Sequence, residues 1–321
     1  MNEILKQVIQ SVLYGVILPS ALVNTMGNAA APPQVQVQQT VHTDSAQLSI
    51  PVLLETGDVT MMDLEAYILR VVLGEVPSGF EDEALKAQAV AARTYTLYCG
   101  QASDRHPMGA VCTDYRCCQA YREPEDYLDQ GGTEAGLQKV RQAVMSTAGE
   151  VLYYDGELIV ATYFASSGGV TEDAEEVWGQ ALPYLVPVES PGEEDSGYYD
   201  EEKSFTAEEF QKILGRTLNG SPESWFGRVY ESLGDGVGVI RIGGRLYSGT
   251  EIRSMFGLRS TVFTVIATSN SVTFRTRGYG HRVGMSQYGA DAMAAGGSTY
   301  EQILAHYYRG TTLEQYQPDS H

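Results

Sequence analysis

MDLEAYILRVVLGEVPSGFEDEALKAQAVAARTYTLY, residues 62–98, sets two helix patterns end to end around a proline turn. Asp63 stands where a helix needs an N-cap, and Leu64, Tyr67, Ile68 and Val71 share one face, which predicts a helix through Leu73. After VPSGF at 76–80, the stretch EDEALKAQAVAARTYTLYC reads as a second helix. Its acidic first turn suits the helix dipole, and its alanines permit close packing. Glu75 lies between the two. An apolar stretch ending on a carboxylate is either a solvated helix end or a carboxyl group held partly out of water, with its proton available near neutral pH.

Outward from this pair the chain mixes helices and strands without βαβ regularity, so the fold class expected is α+β. LSIPVLLE (48–55) reads as a strand, and EVLYYDGELIVATYFA (150–165) as a hairpin turning at Asp155-Gly156. GVIRIG (238–243), VFTVIAT (262–268) and VTFRT (272–276) are further strands, followed by two helices within 285–308. The acidic run at 189–203 reads as a solvated loop with no catalytic role.

Residues 8–27 carry no charge, and twenty helical residues span roughly 30 Å, the thickness of a hydrocarbon core. Residues 1–27 are read as a transmembrane anchor or a cleaved signal segment. Residues 28–46, rich in Pro, Gln and Ala, form an extended linker, and 47–315 the folded domain. An anchor plus a tether places the folded part outside the cytoplasm. The chain has 41 acidic and 21 basic residues, a net charge of −20, which argues against nucleic acid as a partner. Four cysteines are too few for a disulfide-dense scaffold.

Four constellations could carry chemistry. Glu75 faces a helix on which Lys86 and Arg93 are two turns apart, a cationic stripe suited to an anionic polymer or simply a solvated face. In HPMGAVCTDYRCC, His106, Cys112 and Cys118 recur at intervals of six; these are zinc-ligand types, with disulfides among Cys99, Cys112 and Cys117 or Cys118 as the alternative. RGYGHRVGMSQYGADAM (277–293) presents His281, Ser286, Gln287 and Tyr288 on a glycine-rich frame, as a sugar-binding groove requires. YFASSGGVTEDAEEVWG (163–179) offers Ser166 and Ser167 without a nucleophile elbow.

MDLEAYILRVVLGEVPSGFEDEALKAQAVAARTYTLY, CTDYRCCQAY, YFASSGGVTEDAEEVWGQALPYL and GYGHRVGMSQYGADAMAAGGSTYEQILAHYY occur in this order across most of residues 47–310. Together they resemble the stage II sporulation protein D family, also described as the amidase-enhancer domain family. The resemblance implies a lytic transglycosylase that cuts the glycan strands of peptide-stripped peptidoglycan and leaves 1,6-anhydro-muramyl ends, with Glu75 as catalytic acid and base. It implies Lys86 or Arg93 at the lactyl carboxylate of stripped muramic acid, and Ser166, Ser167, His281, Ser286, Gln287 and Tyr288 as substrate-binding residues. It favours structural Zn2+ on His106, Cys112 and Cys118, the fourth ligand being water, Cys117 or Glu75. Implied partners are a sporulation cell-wall amidase and a membrane scaffold protein. The implied location is the mother-cell membrane, facing the forespore during engulfment. Arg282 departs from the small residue expected there, so a long side chain would narrow or recharge the groove. A non-catalytic glycan-binding enhancer of an amidase is the alternative. A zinc peptidase is disfavoured by the lack of H-E-x-x-H.

Overall fold

The Asp63 carboxylate accepts the N–H of Ala66 at 2.9 Å and opens the first helix, α1 (Leu64–Glu75). The computed structural model describes residues 48–102, 106–194 and 196–318; the apolar run 8–27 and the linker 28–46 lie outside them. Ahead of α1, β1 (Ser49–Leu53) pairs antiparallel with β2 (Val59–Asp63) and parallel with β3 (Val111–Cys112). The apolar face of α1 is buried as its spacing predicts, at Leu64, Tyr67, Ile68 and Val71. Helix α2 (Asp82–Ala102) buries Ala84, Ala87, Ala89, Ala91 and Ala92, small side chains that let its neighbours approach on several sides. Helices α3 (Pro124–Asp129) and α4 (Glu134–Ser146) follow.

The predicted hairpin forms from β4 (Glu150–Tyr154) and β5 (Glu157–Leu158). Asp155 and Gly156 have φ of 50° and 84°, the double positive φ of a tight two-residue turn. Next come β6 (Tyr163–Phe164) and the short α5 (Ala174–Trp178). Residues 201–277 then build a second hydrophobic centre. It holds β7 (Glu201–Thr206), α6 (Ala207–Leu214), β8 (Phe226–Glu231), β9 (Val237–Ile242), β10 (Arg245–Ser248), α7 (Gly249–Phe256), β11 (Val262–Ala267) and β12 (Ser271–Arg277). These strands make two antiparallel sheets, ordered β10-β9-β8 and β11-β12-β7, over Phe210, Phe256 and Phe274. The chain returns through β13 (Met285–Ser286), which pairs parallel with β6, then α8 (Gln287–Ala295), α9 (Tyr300–Tyr307) and β14 (Thr312–Gln315), antiparallel to β4. The class is α+β, as expected. Among the described residues no helix is long and apolar enough to cross a membrane.

Two readings of the sequence are corrected here. The acidic run is not simply a solvated loop: Glu201 and Glu202 enter β7, and Glu193 is buried. Its carboxylate accepts the hydroxyls of Ser166 (2.7 Å), Ser167 (2.9 Å), Ser190 (2.6 Å) and Ser286 (2.5 Å), and the N–H of Gly168 (2.9 Å). A group this polar is tolerated in the interior because it is so fully hydrogen-bonded. Arg282 does not enter the groove. It is buried at φ 70° and donates to Ser167 O, Val170 O and Glu172 on one side and to Thr261 and Gly234 O on the other. The guanidinium thus fastens the second hydrophobic centre to the first.

Candidate functional site

Glu75 closes α1 at the floor of a cleft of about 400 Å³. Its Oε1 accepts the N–H of Ala120 at 2.7 Å, and its Oε2 the side-chain amide of Gln287 at 3.3 Å. Gly74 makes the first contact possible: a Cβ there would stand 2.8 Å from the backbone nitrogen of Tyr121, so only glycine lets segment 119–121 pass this close to the helix end. Burial raises the carboxyl above its ordinary value, and the bonds from Ala120, Gln287 and Tyr163 only partly offset that. The result is a carboxyl group that retains its proton more readily than a solvated one.

Aromatic and amide side chains surround the acid. Tyr95, Tyr163, Tyr198 and Tyr279 line the cleft, with Gln119 held between the Tyr163 hydroxyl (2.7 Å) and Thr96 (2.8 Å). His281 also lines it, between the rings of Phe164 and Trp178. Burial, then the nearby Arg253 cation, lower His281 to about 4, so its imidazole is neutral near pH 7. Among the described residues lining this cleft, Glu75 is the sole carboxylic acid. A wall of aromatic faces and fixed amides around one acid suits a polyol ring: the faces cover C–H surfaces, and the amides bond hydroxyl and acetamido groups.

Several residues expected at the site are elsewhere. Ser166, Ser167 and Ser286 are buried and occupied with Glu193, so their hydroxyls do not reach a ligand. Arg93 is buried in an ion pair with Glu65 of α1 at 2.6 Å and also donates to Glu150 O and Val144 O. Lys86 pairs with Glu83 at 2.6 Å and stands over the Tyr300 ring, away from the cleft. Neither cation faces Glu75. Tyr288 packs edge-on against Phe80 and Tyr198, behind the cleft wall, whereas Gln287 and His281 are in place. Gln119, Tyr163, Tyr198 and Tyr279 were missed. Tyr163 reaches the cleft through the long-range pairing of β6 with β13, and nothing local marks either it or Tyr198.

Beside the cleft, His106, Cys112, Cys117 and Cys118 bring their ligand atoms within 4.8 Å of one another. Cys117 and Cys118 Sγ lie 3.3 and 3.6 Å from His106 Nε2. A tetrahedral zinc site with bonds of about 2.0–2.3 Å has edges of about 3.3–3.8 Å, so the His106–cysteine separations already match and the widest pairs need only small closure. Cys112 and Cys118 are not joined in a disulfide. Burial, reinforced by its thiol neighbours, pushes Cys118 up to about 12. Cys118 also lines the cleft, whereas Glu75 is absent from the converging set.

A single acid in an aromatic cleft stands beside a thiol-imidazole cluster, a candidate active site next to a candidate metal centre. The family model "Stage II sporulation protein" matches residues 55–154. The chain is 40% identical over 277 residues to stage II sporulation protein D of Bacillus subtilis, covering 84% of this chain and 80% of that protein. It is 36% identical to the protein of the same name from Bacillus amyloliquefaciens, covering 84% and 79%. A Bacillus subtilis protein named "Amidase enhancer" is 30% identical, covering 77% of this chain and 40% of its own length. The chain belongs to the stage II sporulation protein D family.

Proposed function

We propose that this protein is a lytic transglycosylase acting on peptide-stripped peptidoglycan during sporulation. One observation carries the reading: a lone carboxyl group, raised by burial, on the floor of a cleft lined by aromatic rings and amides. Ordinary glycosidases need two carboxylates, one as acid and one to activate water or attack the sugar. A transglycosylase needs one, because the muramyl C6 hydroxyl is the nucleophile. Glu75 donates its proton to the glycosidic oxygen as the C1–O bond breaks. Its carboxylate then accepts the C6 hydroxyl proton as the new C1–O6 bond closes the 1,6-anhydro ring. Gln287 and the Ala120 N–H hold the carboxylate in one orientation through both steps. The test is mass analysis of products from stripped glycan with the parent protein and Glu75→Gln, the latter expected to bind and not cut.

We further assign Zn2+ to His106, Cys112 and Cys118, with Cys117 as the fourth ligand on the strength of their convergence. When bound, it supplies a cross-link that holds the 106–118 loop beside the cleft. The chain's place is outside the cytoplasm, tethered through residues 8–27 to the mother-cell membrane and facing the forespore. A cell-wall amidase that strips the glycan and a membrane scaffold are its partners. The relative named "Amidase enhancer" supports a second reading, a glycan-binding protein that stimulates an amidase without cutting; intact glycan after incubation would favour it.

A further inference from the structure

Past Tyr198 and Tyr279 the Glu75 cleft opens into a second arm of about 770 Å³, which shares those two rings as its wall. Two arginines line that arm, and they differ in what they do. Arg259 is neutralised by Glu201 at 3.0 Å and packed near the Tyr198 and Tyr279 rings. Arg253, in the last turn of α7, is half-buried and donates its Nε to Arg259 O at 3.2 Å. Its two terminal nitrogens have no acceptor, and it makes no ion pair, among the described residues. In a chain of net charge −20, where Arg70, Lys86, Arg93, Lys139 and Arg282 are paired with acids, Arg253 is a half-buried cation at the cleft that has no ion pair among the described residues.

We propose that Arg253 is the specificity-determining residue that binds a carboxylate on the glycan; this rests on the glycan-cleaving reading above. A planar guanidinium whose terminal Nη1–Nη2 edge is unengaged matches a carboxylate in bidentate geometry. The glycan carboxylate available is the lactyl group of muramic acid. In peptide-bearing strands that carboxyl is tied up in a neutral amide, and it becomes anionic only when the amide is hydrolysed. Arg253 therefore reads the stripped state, and an amide-hydrolysing reaction must supply the substrate. Its charge reaches the reacting end of the cleft, since it is felt at His281, and burial lowers its own basicity as expected for a cation partly withdrawn from water.

The test uses the full chain carrying Glu75→Gln, so that ligands bind and are not consumed. Three oligosaccharides of equal length are titrated: stripped muramyl-containing glycan, the same with its lactyl carboxyl reduced to the alcohol, and a chito-oligosaccharide. The first should bind on the order of 10- to 100-fold more tightly than the other two. Adding Arg253→Gln should bring the three within about two-fold, with an unchanged melting temperature confirming the fold. Should that variant not fold, Arg253→Lys decides: a preference cut several-fold supports Arg253, and an unchanged one overturns it. Equal affinity for the free and reduced carboxyl overturns the proposal and leaves the glycan reading standing. A preference that survives in folded Arg253→Gln places the carboxylate elsewhere. Binding of none of the three overturns the glycan reading itself.

Discussion

Two opposing effects meet on the Glu75 carboxyl: burial favours the protonated form, and the Ala120 and Gln287 donors favour the carboxylate. Burial wins, so the folded value lies above the ordinary 4.5. A raised carboxyl stabilises the fold fully below the unfolded value, and that contribution is lost as pH rises through the folded one. Glu75→Gln removes the cost of ionising there. It should therefore melt above the parent at pH 8 and level with it near pH 4, by calorimetry, while cleavage falls at least about 100-fold. Equal melting curves at pH 8 would contradict the assigned environment. At this scale the sequence was legible where a residue contradicts its neighbours, as an acid ending an apolar face does. It was misleading where type was taken for exposure. Ser166, Ser167 and Ser286 are the polar tips a sugar site needs, yet their hydroxyls satisfy Glu193, and only the three-dimensional burial of that acid reveals it.

Helix α2 shows why spacing alone misplaced Arg93. Two turns from Lys86 it shares that residue's side of the cylinder, but α1 and α4 pack against α2, and Glu65 of α1 and Val144 O of α4 meet it there. Truncating one member of a buried pair leaves the other uncompensated. Arg93→Ala should cost about 3–5 kcal/mol in chemical denaturation, whereas a variant that folds normally and loses only substrate binding would restore the ligand role. The 106–118 loop is the other element with a testable role. The purified protein should hold about one zinc per chain by elemental analysis, lost in Cys112→Ser and in His106→Ala. Metal loss should also lower the melting temperature, since a site absent from the unfolded chain contributes its binding energy to folding. Metal-free protein lacking free thiols would favour disulfides instead. The Asp63 cap, the Asp155-Gly156 turn and the strand runs at 48–55, 238–243, 262–268 and 272–276 were readable from local patterns, whereas β7, which begins inside the acidic run, was not. That residues 201–277 gather around a hydrophobic centre of their own was not, because which strands share a sheet is a long-range fact.

At the scale of the molecule, Arg282 and Glu172 join the two hydrophobic centres. Arg282→Ala would leave Glu172 buried without its cation, and should cost about 3–5 kcal/mol. By hydrogen exchange the loss of protection should begin in β7–β12, because the severed bonds to Gly234 and Thr261 belong to that part. Uniform loss across both centres would contradict a clamp between them. The same junction sets the second arm beside the Glu75 cleft, so the groove is built from both centres. The most direct test of the whole account is mass spectrometry of stripped glycan strands incubated with the purified chain. Fragments ending in 1,6-anhydro-muramyl residues, absent with Glu75→Gln, are the predicted result. Uncut strands, or reducing ends carrying an added water, would contradict it.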